Sequence, residues 1–124
     1  MGEDKGARVV RWDDVPREQL NELLARKVIT GERIMLAHVY LDKGCVVPMH
    51  QHENEQLSYI LEGELKFGIG SEDAEPVIVK AGEVLVTPPN MPHKAEAVED
   101  TLSLDVFSPP RQDWLTGNDD YLRK

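Results

Sequence analysis

Short apolar runs separated by turn residues constrain the fold of this 124-residue chain more than any other feature. From Arg33 onward, each run is too short for a typical helix, and its residue types favour strands. We predict strands over residues 34–41, 56–61, 64–69, 77–79, 84–87 and 102–107. The tight Glu62-Gly63 pair between two of these runs predicts a hairpin. Strands at such close spacing are typical of a β-sandwich or a small barrel.

The length suits one domain with a single hydrophobic core. We predict one domain over residues 1–124, with a barrel core at 34–108, an N-terminal arm at 1–33 and a C-terminal tail at 109–124. Pro16 and the spacing of the following leucines predict a short helix over residues 16–26, after a flexible leader over residues 1–6. The tail carries apolar residues, and two alternatives stay open for it: packing on the body or a partner subunit, or a frayed end.

Three histidines and a glutamine indicate a metal site. His50 and His52 stand two positions apart, so their side chains would share one face of a strand. Gln56 has the same parity and can join them if the strand runs on, whereas a bulge would let Glu55 take its place. His93 follows a rigid proline-rich loop and can supply another ligand. Such a donor set suits one divalent transition metal, and Zn, Ni, Mn, Fe and Co all stay open.

The remaining composition narrows the class of protein. A net charge of −9 argues against a nucleic-acid partner, which needs a basic surface. No apolar stretch approaches the roughly 18 residues of a membrane span, so we expect no membrane partner. Cys45 is the only cysteine, and we interpret it as a small buried filler, while His38, alone on its strand, is interpreted as structural. The single cysteine and the absence of an apolar signal segment favour the cytoplasm.

The last predicted strand carries a possible proton-transfer group. Leu102, Leu104 and Val106 alternate with Ser103, Asp105 and Phe107, so one face is apolar and the other is mixed. The sequence alone does not say which face lines the interior. If the mixed face points inward, Asp105 is a candidate general acid or base. A solvent-facing aspartate is the alternative, and the pattern by itself slightly favours it.

Two segments resemble the motifs of the cupin superfamily. Residues 44–56, followed by Gly63, match the first motif, which has a glycine, the H-x-H pair and a further ligand. Residues 82–93 match the second motif, with its glycine, proline and single histidine. The resemblance implies an all-β, single-domain cupin fold, a double-stranded β-helix or jelly-roll barrel, here with a short N-terminal helix. Gln56 stands where the family usually has glutamate, and Asn90 replaces a turn glycine, whose left-handed conformation asparagine tolerates.

Most of the chain, from about Val28 to Arg123, is similar to the pectin-degradation cupins often called KdgF. The similarity is carried by residues 31–33, 54–63, 104–111, 113–114 and 121–122. The metal ligands of that family match His50, His52, Gln56 and His93. Its functional residues match Asp105, Phe107 and Arg111, and the resemblance implies that Arg111 pairs with a substrate carboxylate.

The resemblance also implies a reaction. Its substrate would be a 4,5-unsaturated uronate monosaccharide from pectin or alginate breakdown, a small anionic sugar, and its product the linear 5-keto-4-deoxyuronate. This is a metal-dependent ring opening with tautomerisation, and a homodimer is implied as well. Two alternatives stay open: a cupin that binds a small acid without catalysis, and a metal-dependent dioxygenase. The neutral amide of Gln56 disfavours the dioxygenase, because it stabilises high metal oxidation states less than a carboxylate does.

Overall fold

Ten strands form the body of the protein in the computed structural model, which describes residues 6–124. They are β1 Glu18–Asn21, β2 Leu24–Thr30, β3 Met35–Leu41, β4 Val46–His50, β5 Glu55–Glu62, β6 Glu64–Ile69, β7 Val77–Lys80, β8 Val84–Thr87, β9 His93–Ala97 and β10 Thr101–Ser108. One helix, α1 Gln112–Leu115, and the 3-10 turns Trp12–Asp14 and Asp120–Leu122 complete the regular elements of the described residues. The predicted leader lies, apart from Gly6, outside them.

The strands pair into two antiparallel sheets that confirm the all-β fold class. The six-stranded sheet has the order β1-β2-β3-β10-β5-β8, and the four-stranded sheet has the order β4-β9-β6-β7. The predicted strands at 64–69 and 84–87 have the observed bounds, those at 34–41 and 77–79 differ by one residue at one end, and those at 56–61 and 102–107 differ by one residue at both ends. The strands β4 and β9, which carry two of the histidines, were not among those predicted. Both sheets turn one face inward, as in a sandwich or jelly roll.

The helix predicted over residues 16–26 is wrong, because this segment forms β1, a tight turn and β2. β2 pairs along its whole length with β3, from Leu24 opposite Leu41 to Thr30 opposite Met35. Leu20 and Leu24 are buried in the core, whereas Leu23 lies in the turn and is exposed. The leucine spacing that imitates a helix therefore comes from two strands that meet the core on either side of a turn.

The hairpin predicted at Glu62-Gly63 is also wrong, because β5 and β6 belong to different sheets. Gly63 has a φ of 92°, and a Cβ there would lie 2.3 Å from the carbonyl oxygen of Asp100. Only glycine fits this close approach. The chain therefore crosses from one sheet to the other at Gly63. Asn90 has a φ of 63°, the left-handed conformation that we expected of it.

The core fills the space between the sheets. Its most deeply buried apolar side chains are Met35, Ala37, Ile60 and Phe107. Cys45 belongs to this cluster, which confirms it as a buried filler, and burial raises the pKa of its thiol to about 11. His38 lies away from the other histidines and stacks on Trp12 with ring centroids 3.7 Å apart, which agrees with a structural role. Among residues 6–124, no helix has the length and apolar character needed to cross a membrane.

Candidate metal centre

Three histidines converge at one end of the space between the sheets. His50 is the last residue of β4, His93 is the first of β9, and the two are paired across these strands. His52 lies in the loop that follows β4. The ring centroids are 4.2 Å apart for His50 and His93, and 5.0 Å apart for His52 and His93. One ligand nitrogen from each ring lies within 4.8 Å of the other two, which is close enough for a single ion.

Backbone carbonyls fix the tautomer of all three rings. The Nδ1 atoms of His50, His52 and His93 lie 2.8, 3.0 and 2.8 Å from the carbonyl oxygens of residues 48, 54 and 91. A carbonyl only accepts hydrogen bonds, so each Nδ1 is the protonated nitrogen and each Nε2 keeps its lone pair. A hydrogen bond of this kind orients the histidine ligands of known metal sites. His93 Nε2 is buried and has no hydrogen-bond partner among the described residues, as a metal-binding nitrogen would.

The same rings are held in the neutral form that a metal requires. Burial lowers the pKa of His50 to about 3 and that of His52 to about 4, and it lowers the pKa of His93 as well. The buried guanidinium of Arg111 adds to this effect at each ring. Protons therefore do not compete for the three Nε2 lone pairs near neutral pH.

Gln56 faces the histidines from the opposite sheet. Its Oε1 lies 3.1 Å from His52 Nε2, and its Nε2 donates to Ser58 Oγ over 3.0 Å. Because His52 carries its proton on Nδ1, the two atoms at 3.1 Å both present lone pairs. A separation near 3 Å is that of neighbouring ligands around an ion with bonds of about 2.1 Å. The four donors therefore fit a divalent metal, and no anionic ligand belongs to the set.

We expected the alternation of side chains along one strand to align His50, His52 and Gln56, and this prediction is wrong. β4 ends at His50, the loop of residues 51–54 follows, and β5 begins at Glu55 in the other sheet. Parity along one strand therefore does not align Gln56 with the histidines. The inner faces of two facing sheets bring them together instead. Glu55 is exposed and Gln56 is buried, so the glutamate does not reach the site.

Asp105 is buried between the sheets, so the mixed face of β10 is the inner one. Its side chain is 9% exposed, and Ser103 Oγ donates to its Oδ1 over 2.7 Å. Burial raises the pKa of Asp105 to about 6, although hydrogen bonds from Ser103 and Ser58 and the charge of Arg111 oppose that rise. Ser58 thus connects Gln56 to Asp105. The carboxyl group has the pKa of a group that can exchange a proton near neutral pH.

Phe107 and Arg111 lie beside the histidines, as expected. The Phe107 ring centroid is 5.9 Å from that of His52, and the Arg111 guanidinium carbon is 5.1 Å from the Phe107 centroid. Arg111 is 2% exposed, so it is not a solvated tail residue. Its Nε and Nη2 donate to Asp113 over 2.9 and 2.7 Å, and Nη2 also donates to Tyr121. The fork that we expected to face a ligand is therefore occupied within the protein.

A C-terminal cover, defined as residues 111–122, closes this end of the molecule. The Tyr121 ring centroid lies 4.8 Å from that of His50, and Leu122 is buried in the core. The tail thus packs on the body, which decides between the two alternatives left open by the sequence. Beneath the cover lies a cavity of about 60 Å³, lined by two of the histidines together with Gln56, Asp105 and Arg111. It has room for only a few water molecules.

Comparison with known proteins identifies the family. The sequence pattern of the family described as Cupin domain matches residues 37–108, more than half of the chain, and includes all four candidate metal ligands. The chain belongs to the cupin family. Among solved structures, this cupin is similar to KdgF from Halomonas sp., with a TM-score of 0.74 and 30% identity, over 82% of this chain and 94% of that one.

Two curated proteins add to the comparison. This cupin is 34% identical over 80 residues to an uncharacterised protein of Methanocaldococcus jannaschii, covering 64% of this chain and 62% of that protein. The chain thus spans about three fifths of that relative's length. It is 30% identical over 84 residues to an oxalate-binding protein of Thermotoga maritima, covering 67% of each. The relatives therefore include a protein named for binding.

Several residues of the cupin's site were not predicted from the sequence. Ser58 and Ser103 each stand two positions from a candidate site residue on the same strand, so strand periodicity would have indicated them. Arg26, Trp114 and Tyr121 line the same cavity and were not predicted as site residues either. Arg26 lies in the segment wrongly predicted to be a helix. Tyr121 meets the site only because the cover folds back, which no local pattern indicates.

Proposed function

We propose that this cupin converts 4,5-unsaturated uronate monosaccharides to linear 5-keto-4-deoxyuronate by ring opening and tautomerisation. The observation that carries the proposal is a buried carboxyl group, Asp105, with a pKa raised to about 6, lining the same cavity as His50 and His93. Such a group is suited to proton transfer. The similarity to KdgF supports the choice of substrate.

In this proposal, His50, His52, His93 and Gln56 hold one divalent metal ion. When bound, the ion would act as a Lewis acid that polarises substrate oxygen atoms and offsets developing negative charge. Ser58 contributes by accepting a hydrogen bond from the Gln56 amide, because this contact turns the amide oxygen toward His52. The neutral donor set leaves the full charge of the ion available to an anionic sugar.

Asp105 would carry out the proton transfers. Its carboxylate takes the proton of the anomeric hydroxyl, C1 becomes the aldehyde carbonyl as its bond to the ring oxygen breaks, and the ring oxygen is left on C5 as an enolate. The protonated Asp105 then returns the same proton to C4 while the enolate becomes the 5-ketone, so the product is an isomer of the substrate. The hydrogen bonds from Ser103 and Ser58 keep the carboxylate oriented toward the cavity throughout.

Arg111 and Phe107 would position the substrate. The Nε and Nη2 atoms of Arg111 are held by Asp113, so Nη1 is the guanidinium nitrogen left for the substrate carboxylate. Phe107 packs against both His52 and the guanidinium of Arg111, and it would form an apolar wall beside the sugar. The cover must shift for a monosaccharide to enter, because the cavity beneath it holds only about 60 Å³.

The proposal is tested with Asp105→Asn and His50→Ala. We expect Asp105→Asn to keep a full complement of metal and to lose at least about 100-fold in kcat, as removal of a general acid-base group does. We expect His50→Ala to lose the metal itself. Metal content is measured by elemental analysis, and turnover by loss of the ultraviolet absorbance of the unsaturated uronate from lyase-digested pectin.

The matched control is Asp100→Asn, which changes an exposed aspartate just before the same strand. This variant should keep both metal and activity. A metal-replete Asp105→Asn protein with wild-type turnover would refute the proton-transfer role.

A binding protein without catalysis is the second candidate, and the similarity to the oxalate-binding protein favours it. Under that alternative, the wild-type protein binds a small acid such as oxalate and leaves the absorbance of unsaturated uronates unchanged. Calorimetric titration with oxalate, beside the absorbance assay, separates the two functions. Oxygen uptake during the same assay would instead indicate the dioxygenase.

A further inference from the structure

Arg26 is a buried cation with one nitrogen that no contact explains. It lies on β2, is 2% exposed and lines the cavity of the candidate site. Its Nε donates to Glu18 Oε1 over 3.0 Å, and its Nη2 lies 2.6 Å from Asp119 Oδ2. Its Nη1 is buried and has no hydrogen-bond partner within residues 6–124. A buried N–H group without a partner costs free energy, so its retention calls for an explanation.

Trp114 presents a second buried donor of the same kind next to the first. Its Nε1 is also without a partner in the described part of the chain, and the residue lines the same cavity. The Arg26 guanidinium carbon lies 4.4 Å from the centroid of the Trp114 ring. We call Arg26 Nη1 and Trp114 Nε1 the donor pair. Two donors without partners, on two contacting residues that line one cavity, are suited to an acceptor atom supplied from outside the protein.

Arg26 and Trp114 make their contacts within the protein through atoms other than the donor pair. The ion pairs of Arg26 use Nε and Nη2, and the packing of Trp114 uses the faces and edges of its ring. The charges nearby are also balanced, because Arg123 contacts both Glu18 and Asp119. Two arginines therefore face two carboxylates. The donor pair is thus suited to a neutral acceptor, such as a hydroxyl oxygen, rather than to a second carboxylate.

Phe107 links the residues of the donor pair to the histidines. The Phe107 ring contacts His52, with centroids 5.9 Å apart, and Trp114, with centroids 5.0 Å apart. Arg26 packs on Trp114 in turn. Oxalate has carboxylates but no hydroxyl group, so only a ligand with a hydroxyl besides its carboxylate would use both Arg111 and the donor pair.

We propose that the donor pair binds a hydroxyl oxygen of the ligand, separate from the carboxylate that Arg111 receives. The inference rests on the proposed function and specifies its ligand class: a polyhydroxy acid of monosaccharide size, not a small dicarboxylate such as oxalate. Arg26 and Trp114 are then binding residues that select for the sugar.

Two variants test the donor pair independently. Trp114→Phe removes the N–H and keeps an aromatic ring, and Arg26→Lys keeps the positive charge but removes Nη1. For unsaturated galacturonate we expect each variant to raise KM about tenfold and to change kcat less than about twofold, the effect of one lost hydrogen bond on binding. Calorimetry with D-galacturonate, which has no unsaturated bond to react, should show a matching rise in Kd.

The control is Arg123→Gln, which breaks ion pairs to the same two carboxylates but does not line the cavity. It should leave KM and Kd unchanged. The inference is overturned if both variants are active with the KM and Kd of the wild type, or if KM and Kd rise equally in Arg123→Gln. Either result leaves the proposed function standing. If the wild type is inactive but binds D-galacturonate, and both variants bind it more weakly, the proposed function is refuted and the role of the donor pair in binding is supported. No turnover and no binding in the wild type overturn both.

Discussion

At the scale of single residues, Asp105 combines burial with hydrogen-bond donors, and this balance sets its pKa. Burial alone disfavours the carboxylate, whereas the hydroxyls of Ser103 and Ser58 stabilise it. The resulting pKa of about 6 means that the group is a carboxylate above pH 6 and a carboxylic acid below it. A base is active in the first form only. The serines therefore decide at which pH the proposed reaction can begin.

We expect kcat/KM of the wild type to fall about tenfold per pH unit once the pH drops below the pKa of Asp105, because the base is protonated there. In Ser103→Ala the carboxylate loses a stabilising hydrogen bond, so the acidic limb should move to higher pH. The measurement is the pH profile of kcat/KM between pH 4.5 and pH 8, chosen to bracket the pKa of about 6. Ser108→Ala is the control, since the hydroxyl of Ser108 bonds to the carbonyl of Arg33 instead. An unshifted limb in Ser103→Ala would contradict the argument.

At the scale of elements, the C-terminal cover depends on one buried carboxylate. Asp119 has no exposed surface, and it contacts Arg26 at 2.6 Å and Arg123 at 2.9 Å. Burial by itself would raise the pKa of Asp119, but hydrogen bonds from the two arginines lower it overall. The ion pair with Arg26 therefore ties the cover to β2, and the position of the Arg26 guanidinium depends on it.

Asp119→Ala should lower the free energy of unfolding by about 3 kcal/mol, because it leaves the buried guanidinium of Arg26 with only Glu18 as a partner. The measurement is urea denaturation followed by tryptophan fluorescence, to which Trp114 in the cover contributes. Asp120→Ala, at the exposed neighbouring position, should change the unfolding free energy by less than about 0.5 kcal/mol. Equal stabilities of the two variants would show that the buried ion pair does not hold the cover.

At the scale of the whole molecule, the metal centre joins the two sheets. His50 and His93 come from the four-stranded sheet, Gln56 comes from the six-stranded sheet, and His52 lies in the loop between them. An ion held by all four donors would add a connection between the two sheets. The unfolded chain has no such preformed site, so binding is expected to favour the folded state. The homodimer expected from the family resemblance stays a prediction.

Removing the metal should therefore lower the melting temperature. At a metal concentration about 1,000 times Kd, binding stabilises the folded state by about 4 kcal/mol, which for a chain of this size is a shift of about 10 °C or more. Differential scanning calorimetry with Zn²⁺ and with a chelator measures the shift. His93→Ala should abolish it, whereas His38→Ala, outside the site, should retain it. A zinc-induced shift that survives in His93→Ala would place the stabilising ion elsewhere.

The sequence by itself determined the β-rich class, most strand positions between residues 34 and 108, and the three histidines that converge. Apolar runs and the glycines between them are local signals, and the two histidines of the H-x-H pair are too close in sequence to lie far apart in the structure. Local signals failed over residues 16–26, where the leucine spacing fits a helix but pairing with β3 forms strands. Only the tertiary structure decided that Asp105 faces inward, that Gln56 reaches the histidines from the other sheet, and that Asp113 occupies the fork of Arg111. Each depends on burial or pairing between segments far apart in the chain, and such interactions exist only once the two sheets have come together.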